Sequence, residues 1–293
     1  MKKSVLSIEK TPPEVFQELS SAKGNTLIMG VLNVTPDSFS DGGLFFDGKT
    51  ALDHGLRMAE EGADIIDIGG ESTRPFSEPI SIQEEIERVV PVIEALSSRV
   101  DAMLSIDTTK SEVAREAVRA GARLINDISA MRFDENMGVV TAELDVPVVL
   151  MHMKGSPRTM QIKPYYRDVM AEIKEFFQER MDYAVSCGIA RDHVILDPGI
   201  GFGKTFDHNL QILHRFSDFL TLDRPLLLGT SRKAFIGKIT GKEQALERDI
   251  GTAATVAIGV YNGARIIRTH NVEIARQTVA VVDAIKQETT DHS

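Results

Sequence analysis

Apolar runs recur along the whole chain, and each is followed by a longer stretch in which apolar residues return at helical spacing. The runs are nearly continuous in apolar residues rather than alternating, as expected for parallel strands that are covered on both faces. Their sequences are TLIMGVLNV from Thr26, DIIDIGG from Asp64, AMLSIDT from Ala102, RLINDIS from Arg123, VPVVLMHM from Val146, HVILDPG from His193, RPLLLGTSRK from Arg224 and ARIIRTH from Ala264. This alternation predicts a repeated strand–helix unit.

The stretches between these runs carry helix signals. SIQEEIERVVPVIEALSSR and SEVAREAVRAG place apolar residues on one face and charges on the other. Ser81, followed three residues later by Glu84, predicts a capping box. EEGADIIDI, RAGARLINDI and YNGARIIRT share a Gly-Ala step into a strand, where the glycine suits the end of a helix.

The fold class follows from the number and spacing of the units. Eight units spread over about 260 residues favour an α/β protein with a single-domain (β/α)8 TIM barrel, and an open doubly wound sheet is the alternative. Because no linker interrupts the series, residues 26–286 are predicted to form one barrel. We expect residues 1–25 to cover its bottom and the polar tail, residues 287–293, to fray.

Composition and charge narrow the possible partners. Of the 293 residues, 42% are hydrophobic and 26% are charged, as in a folded globule. The net charge of −10 argues against nucleic acid or an acidic membrane as the main partner. No apolar run is long enough to span a bilayer, no secretory signal is evident, and the single Cys187 fits a reducing compartment, so a cytoplasmic location is expected.

Polar residues stand where the predicted strands end. In a barrel of this kind, such residues point into the catalytic mouth. They are Asn33, Asp67, Asp107, Asn126, His152, Asp197, Lys233, and Arg268 with His270. Taken singly, each position is explained as well by a strand-end cap, whereas the whole set predicts an active site at this end of the barrel.

Some of these residues suit a flat, nitrogen-rich heterocycle. Asp107, Asn126 and Asp197 offer acceptors and an amide that match donor and acceptor groups around such a ring. Carboxylates this close repel each other unless a ligand or a cation satisfies them. Lys233 could supply that cation, either beside the ligand or in a purely structural ion pair.

Other residues of the set suit an anion. Arg74, Arg268 and His270, with Lys233 nearby, form a cationic cluster on an acidic protein. Such a cluster indicates a phosphate or diphosphate group. Asn33 could place an oxygen on a Mg²⁺ ion that bridges the diphosphate, because Mg²⁺ takes few protein ligands.

Two long loops are predicted at the mouth. NVTPDSFSDGG and GGESTRPFSEP follow the first two strands and are rich in residues that end regular structure. They are candidate lids, and Phe39 in the first could close over an apolar ring face. GIGFGK is similar to a phosphate-binding glycine loop but has neither Walker nor dinucleotide spacing.

Taken together, these motifs resemble the dihydropteroate synthase family. MGVLNVTPDSFSDGG, DIGGESTRP, SIDT, INDIS, MHMKG, ILDPGIGFGKT and LLGTSRK match the family pattern in its order, between about Thr26 and Lys286. The first motif is highly specific, whereas SIDT or NDIS alone would be weak. The resemblance implies a Mg²⁺-dependent transferase of folate biosynthesis that joins 6-hydroxymethyl-7,8-dihydropterin diphosphate to 4-aminobenzoate. It further implies a homodimer that sulfonamides inhibit.

The resemblance also implies roles for single residues. The pterin would be held by Asp107, Asn126, Asp197 and Lys233. The diphosphate would be held by Arg74, Arg268 and His270, with Thr73 at the substrate and Asn33 on the metal. The aminobenzoate pocket would be shaped by Phe39, Pro75 and Phe202. Catalysis would depend on Asp107, Lys233, Arg268 and His270.

Two positions depart from the family pattern, and two rival functions stay open. Asn271 stands where an Asp usually follows the histidine, and Ala234 stands where some members have a serine near the aminobenzoate carboxylate. Backbone groups or Ser231 would then have to anchor that carboxylate. The rivals are a catalytically silent pterin-binding paralogue and the pterin barrel of methyltetrahydrofolate methyltransferases.

Overall fold

Strands and helices alternate along the chain in the computed structural model, which describes residues 25–35, 48–72 and 77–288. The strands are β1 (Leu27–Asn33), β2 (Ile65–Gly69), β3 (Met103–Asp107), β4 (Leu124–Asp127), β5 (Val148–Met151), β6 (Val194–Asp197), β7 (Leu227–Leu228) and β8 (Ile266–Thr269). The helices are α1 (Gly48–Glu60), α2 (Ile82–Ser97), α3 (Ser111–Ala120), α4 (Met137–Leu144), α5 (Val169–Ser186), α6 (Phe206–His214), α7 (Ala234–Thr240), α8 (Asp249–Tyr261) and α9 (Val272–Glu288).

The strands form one closed parallel sheet. Their order is β6-β5-β4-β3-β2-β1-β8-β7, and every pair is parallel. A parallel bridge between Leu196 of β6 and Leu226, just before β7, joins the two ends. The amide of Leu196 also donates to the carbonyl of Pro225 at 2.9 Å. This closure confirms the (β/α)8 barrel and excludes the open sheet.

Two apolar layers hold the barrel together. A small cluster fills its interior and takes residues from every strand, namely Met29, Ile65, Leu124, Val149, Ile195, Leu227 and Ile266, with Met103 packed against them. A much larger cluster joins the outer faces of the strands to the helices and includes the fully buried Phe177 and Phe219. Because the interior is filled by side chains, polar residues gather at the carboxyl ends of the strands rather than along a pore.

Local sequence signals act largely as expected. Ser81 caps α2 by accepting the amide of Glu84 at 3.1 Å. The Glu84 carboxylate pairs with Arg88 one turn later, so no reciprocal capping box contact is made to Ser81 among the described residues. The glycines of the shared Gly-Ala step all adopt the left-handed backbone, with φ of 94° at Gly62, 129° at Gly121 and 101° at Gly263.

The seventh strand is shorter than its apolar run indicated, which corrects one expectation. β7 covers only Leu227–Leu228, and the chain then turns, with the Lys233 amide donating to the carbonyl of Thr230 at 3.2 Å. Lys233 is therefore the residue that precedes α7, not the last residue of a strand. In the described ranges, no helix combines the length and apolar character needed to cross a membrane.

Candidate active site

A cavity of about 1080 Å³ opens among the residues that follow the strands. The residues that were given a role from the sequence and lie within the described ranges all line it, namely Asn33, Asp107, Asn126, Asp197, Phe202, Ser231, Lys233, Arg268 and His270. Asp67 and His152, which were also expected in the mouth, do not line it. The remaining predictions, Phe39, Thr73, Arg74 and Pro75, lie outside the described residues. Residues more than two hundred positions apart in the sequence thus lie in one site, because the strands end at the same face of the barrel.

Arg268, which lines this cavity, bridges two buried carboxylates, of which only Asp107 lines the cavity. Its Nε donates to Oδ2 of Asp67 at 2.7 Å and its Nη2 donates to Oδ2 of Asp107 at 2.6 Å. Asp67 is fully buried and also accepts the Asn126 amide at 2.8 Å and the Ser105 hydroxyl at 2.6 Å. Arg268 is therefore the cation that compensates Asp67 and Asp107. The sequence suggested Lys233 as the cation for Asp107 and Asp197, and Lys233 acts on Asp197 only.

Burial dominates the electrostatics of the acidic residues. It raises the pKa of Asp107 to about 7, with Arg268 opposing the rise and Asp67 adding to it. Burial likewise raises the pKa of Asp197, against the effects of Lys233 and of the Gly199 amide, which donates to Asp197 at 2.7 Å. Both carboxyls therefore hold a proton more readily than an exposed Asp does.

Lys233 is held by the glycine-rich segment that follows β6. Its ammonium donates to the carbonyl of Ile200 and lies 4.8 Å from the centre of the Phe202 ring. Burial lowers the pKa of Lys233 to about 8, and Asp197 opposes that shift. Gly199 has a φ of 65°, and a side chain there would meet the carbonyl of His152 at 2.0 Å. Two residues of the GIGFGK segment, Ile200 and Phe202, thus hold the ammonium of Lys233 in place.

A buried histidine–lysine pair lies behind this segment. Nζ of Lys204 is 2.9 Å from Nδ1 of His152 and donates to the carbonyls of His152 at 3.1 Å and Phe202 at 3.0 Å. Burial lowers the pKa of both side chains well below their usual values. His152 does not line the cavity, which corrects its placement in the mouth, whereas Lys204 does. Lys204 ends the GIGFGK segment, but no role was predicted for it, because its burial against His152 arises only from packing.

His270 is a neutral member of the site. Its backbone amide donates to Oγ of Ser231 at 3.1 Å, and its Nδ1 lies 2.9 Å from the same oxygen. Burial first, and then the nearby Arg268 and Arg232, lower the pKa of His270 to about 3. The expected cationic cluster therefore loses the charge of His270 at neutral pH. A neutral imidazole still offers one N–H to an anion.

Asn33, at the end of β1, supplies an amide to the cavity. Within the described ranges, no group of three or more His, Cys, Asp or Glu residues could hold a metal ion. A hard divalent cation in this cavity would therefore depend on an amide oxygen and on oxygens of its ligand. Mg²⁺ is commonly bound in this way, with few protein ligands and several waters.

Comparison with known proteins agrees with this geometry. A family model described as pterin binding enzyme matches residues 29–270. The dihydropteroate synthase of Synechocystis sp. is 45% identical over 274 residues, which cover 94% of this chain and 95% of the relative. A solved dihydropteroate synthase of Yersinia pestis with a sulfonamide drug complex has a TM-score of 0.86 at 45% identity, covering 90% of this chain and 95% of that chain. The Xanthomonas albilineans enzyme in complex with 7,8-dihydropteroate has a TM-score of 0.82 at 42% identity, covering 89% and 94%.

Proposed function

Because the chain belongs to the dihydropteroate synthase family of folate synthesis, we propose that its cavity joins 6-hydroxymethyl-7,8-dihydropterin diphosphate to 4-aminobenzoate. The products are 7,8-dihydropteroate and diphosphate. The observation that carries this proposal is the convergence of all the described site residues on one cavity. That cavity pairs buried acceptors with a partly buried guanidinium, as a polar ring attached to an anion requires.

The pterin is assigned to the acidic part of the cavity. Asp107, Asn126 and Asp197 present oxygens and an amide to its ring nitrogens and amino group. The raised pKa of Asp107, about 7, makes this carboxyl sensitive to the hydrogen-bond donors that a pterin brings. The Phe202 ring, packed against buried Met151 and Met160, gives the cavity an apolar wall for flat rings.

The diphosphate is assigned to Arg268, the neutral His270 and Lys233. Breaking the bond between the pterin methylene and the diphosphate oxygen leaves negative charge on the departing group, and Arg268 stabilises that charge. The nitrogen of 4-aminobenzoate then bonds to the methylene and releases its proton to water. An arylamine is nucleophilic without a strong base, so the low pKa of His270, about 3, is no obstacle.

We also propose that Asn33 holds Mg²⁺ beside the diphosphate. The fit rests on the donor set, since an amide oxygen is a hard ligand and the described residues provide no competing cluster of carboxylates. Bound there, Mg²⁺ would neutralise charge on the diphosphate as it leaves. Cavity residues on the pterin side would bind the ring without the metal.

The direct test is an assay of purified protein with Mg²⁺, the pterin diphosphate and labelled 4-aminobenzoate. Labelled dihydropteroate is expected, and chelation with EDTA should abolish it until Mg²⁺ is restored. Asn33→Ala should raise the Mg²⁺ concentration that gives half-maximal rate by about tenfold, while Kd for a pterin without diphosphate stays unchanged. An EDTA-insensitive rate would contradict the role of the metal.

The same assay separates the rival functions. Binding of pterin without product would favour a catalytically silent paralogue. Methyl transfer from methyltetrahydrofolate, with no use of 4-aminobenzoate, would favour the methyltransferase barrel. Neither rival explains why Lys233, Arg268 and His270 line the same cavity as the pterin residues.

We propose further that the chain forms a homodimer through α8 and α9. These helices are neighbours and carry much of the exposed apolar surface, namely Ile250, Ile258 and Tyr261 on α8 and Val281 and Ile285 on α9. Exposed apolar patches of this kind mark interaction surfaces.

We also propose a cytoplasmic location, with which the free cysteine Cys187 is consistent.

Charge introduced on this surface should separate the subunits. Ile258→Glu combined with Val281→Glu is expected to convert a dimer into a monomer in sedimentation velocity, because two charges would be buried without partners. Val139→Glu is the matched control, since Val139 is equally exposed on α4, away from this surface. A wild-type chain that sediments as a monomer would refute the dimer.

A further inference from the structure

We infer that Asn271 is a positioning residue for the reaction, because its amide couples the end of β8 to the turn that carries Ser231 and Lys233. This inference rests on the proposed function, since it concerns how residues assigned to the diphosphate and the pterin are held. Asn271 directly follows His270, so a shift in its side chain moves the backbone that carries the imidazole.

The two ends of the Asn271 amide have opposite partners. Its Oδ1 accepts the backbone N–H of Ile274 at 3.0 Å, in the first turn of α9. Its Nδ2 donates to Oδ2 of Asp249 at 3.0 Å. The first partner can only donate and the second, an ionised carboxylate, can only accept. The site therefore demands an acceptor and a donor from one short side chain.

Asp249 connects Asn271 to the turn before α7, because it contacts both Asn271 and Arg232. Its carboxylate takes both Nε and Nη2 of Arg232, at 2.7 and 2.8 Å. Oδ2 is shared between Arg232 and Asn271. Hydrogen bonds from Arg232 first, and then from Asn271, lower the pKa of Asp249, so the carboxylate is ionised at neutral pH. Arg232 and His270 are the charged and titratable groups that face it.

Arg232 fixes the geometry of that turn. Its φ of 59° is unusual for a residue with a side chain, and such a conformation needs external support. The support comes from its amide, which donates to Oγ1 of Thr252 at 3.0 Å, and from its carbonyl, which accepts Nη1 of Arg248 at 2.9 Å. The side-chain pair with Asp249 is the third restraint.

The residues on either side of Arg232 belong to the active site. Ser231 contacts both the backbone amide and Nδ1 of His270, and Lys233 reaches into the cavity. The chain of contacts is thus Asn271 to Asp249 to Arg232, and from there to the two neighbours of Arg232. It ties β8 and α8 to the turn before α7, and neither Asn271 nor Asp249 lines the cavity.

Replacing the amide with a carboxylate isolates this role. Asn271→Asp keeps the acceptor for Ile274 but sets a second carboxylate oxygen against Asp249, where a donor is needed. We expect kcat to fall about tenfold at about pH 8, as small misplacements in an active site cause. Below about pH 6 the loss should shrink to less than about twofold, because one proton shared by the two carboxylates restores the donor.

Two further variants serve as controls. Asn271→Ala removes both contacts, so its kcat should be lowered by a factor that does not shrink as the pH falls. Asn136→Asp adds the same charge at an exposed residue before α4 and should match wild type at every pH. An Asn271→Asp enzyme with the kcat of wild type at about pH 8 would overturn the inference. A loss of kcat in Asn271→Ala that shrinks at low pH as it does in Asn271→Asp would also overturn it.

Thermal melts over the same pH range separate this inference from the proposed function. The Tm gap between wild type and Asn271→Asp should close as the pH falls, while the gap for Asn271→Ala stays constant. Melts need no catalysis, so an inactive wild-type chain would refute the proposed function and leave this contact testable. A Tm gap for Asn271→Asp that is constant with pH would refute the contact even in an active enzyme.

Discussion

Arg268→Ala is expected to lower kcat by about a thousandfold, the scale on which loss of a preorganised charge acts. The guanidinium contacts Asp67 at 2.7 Å and Asp107 at 2.6 Å, so its removal takes away the charge proposed to stabilise the leaving diphosphate. It also leaves the fully buried Asp67 without its cation, which should lower the free energy of unfolding by about 3 kcal/mol.

The stability loss should depend on pH with a definite sign. Without Arg268, the folded state is expected to hold the pKa of Asp107 above its unfolded value, since burial already raises that pKa to about 7 with the arginine present. A folded pKa above the unfolded one makes stability highest at low pH and lets it fall as the pH rises. Wild type and Arg268→Ala should both lose stability between about pH 4 and about pH 7, and the deficit of the variant should grow above about pH 7, where Asp107 ionises more readily in wild type.

The control for this experiment is a second arginine–aspartate pair. Arg276 contacts Asp64 at 2.8 Å on a half-exposed surface away from the cavity. Arg276→Ala should cost about 1 kcal/mol or less and leave kcat unchanged. Urea denaturation at several pH values measures the free energy of unfolding of the two variants, and steady-state kinetics measures their kcat. If the two variants lost equal stability and neither lost activity, the central role of Arg268 would be wrong.

Asp107→Asn should weaken pterin binding by about 100-fold, which corresponds to about 2.7 kcal/mol. The amide keeps the shape of the side chain and one acceptor but loses the negative charge that strengthens hydrogen bonds from ring N–H groups. Wild-type affinity should fall as the pH is lowered through about 7, because protonated Asp107 loses an acceptor. The variant should show no such dependence.

Calorimetry with an unreactive pterin over a range of pH measures both effects. Asp192→Asn, at an exposed residue just before β6, removes a carboxylate charge outside the cavity and should bind like wild type. Equal affinity of wild type and Asp107→Asn above about pH 8 would show that the carboxylate does not read the pterin. The pH dependence then could not be assigned to Asp107.

The comparison of sequence and structure is clearest at two residues. Asp107 was predicted as a site residue because it ends an apolar run, and it lines the cavity at the end of β3. Lys233 was predicted on the same ground and also lines the cavity, but from the turn before α7, since β7 stops at Leu228. The predicted strand was too long because GTSRK, the segment after the three leucines, turns above the barrel instead of continuing β7.

The charge states of the site residues were the hardest property to predict from the sequence. His270 was expected to add a positive charge to the anion site, yet burial and two arginines lower its pKa to about 3. Lys204 was quoted only as the end of the GIGFGK segment, yet it is buried against His152 and lines the cavity. Desolvation and neighbouring charges set these properties, and both depend on residues far away in the chain.

The sequence by itself determined the barrel and the place of its mouth. The period of apolar runs and the polar residues that follow them are local features, and the strands of a (β/α)8 barrel all end at one face, so local order is enough to gather the site. Only the tertiary structure decided which groups neutralise one another there. Arg268, not Lys233, bridges Asp67 and Asp107, and Asn271 ties β8 to the Arg232 turn through Asp249. Those pairings depend on distances of a few ångströms between side chains of different strands and helices, and the order of residues along the chain does not specify such distances.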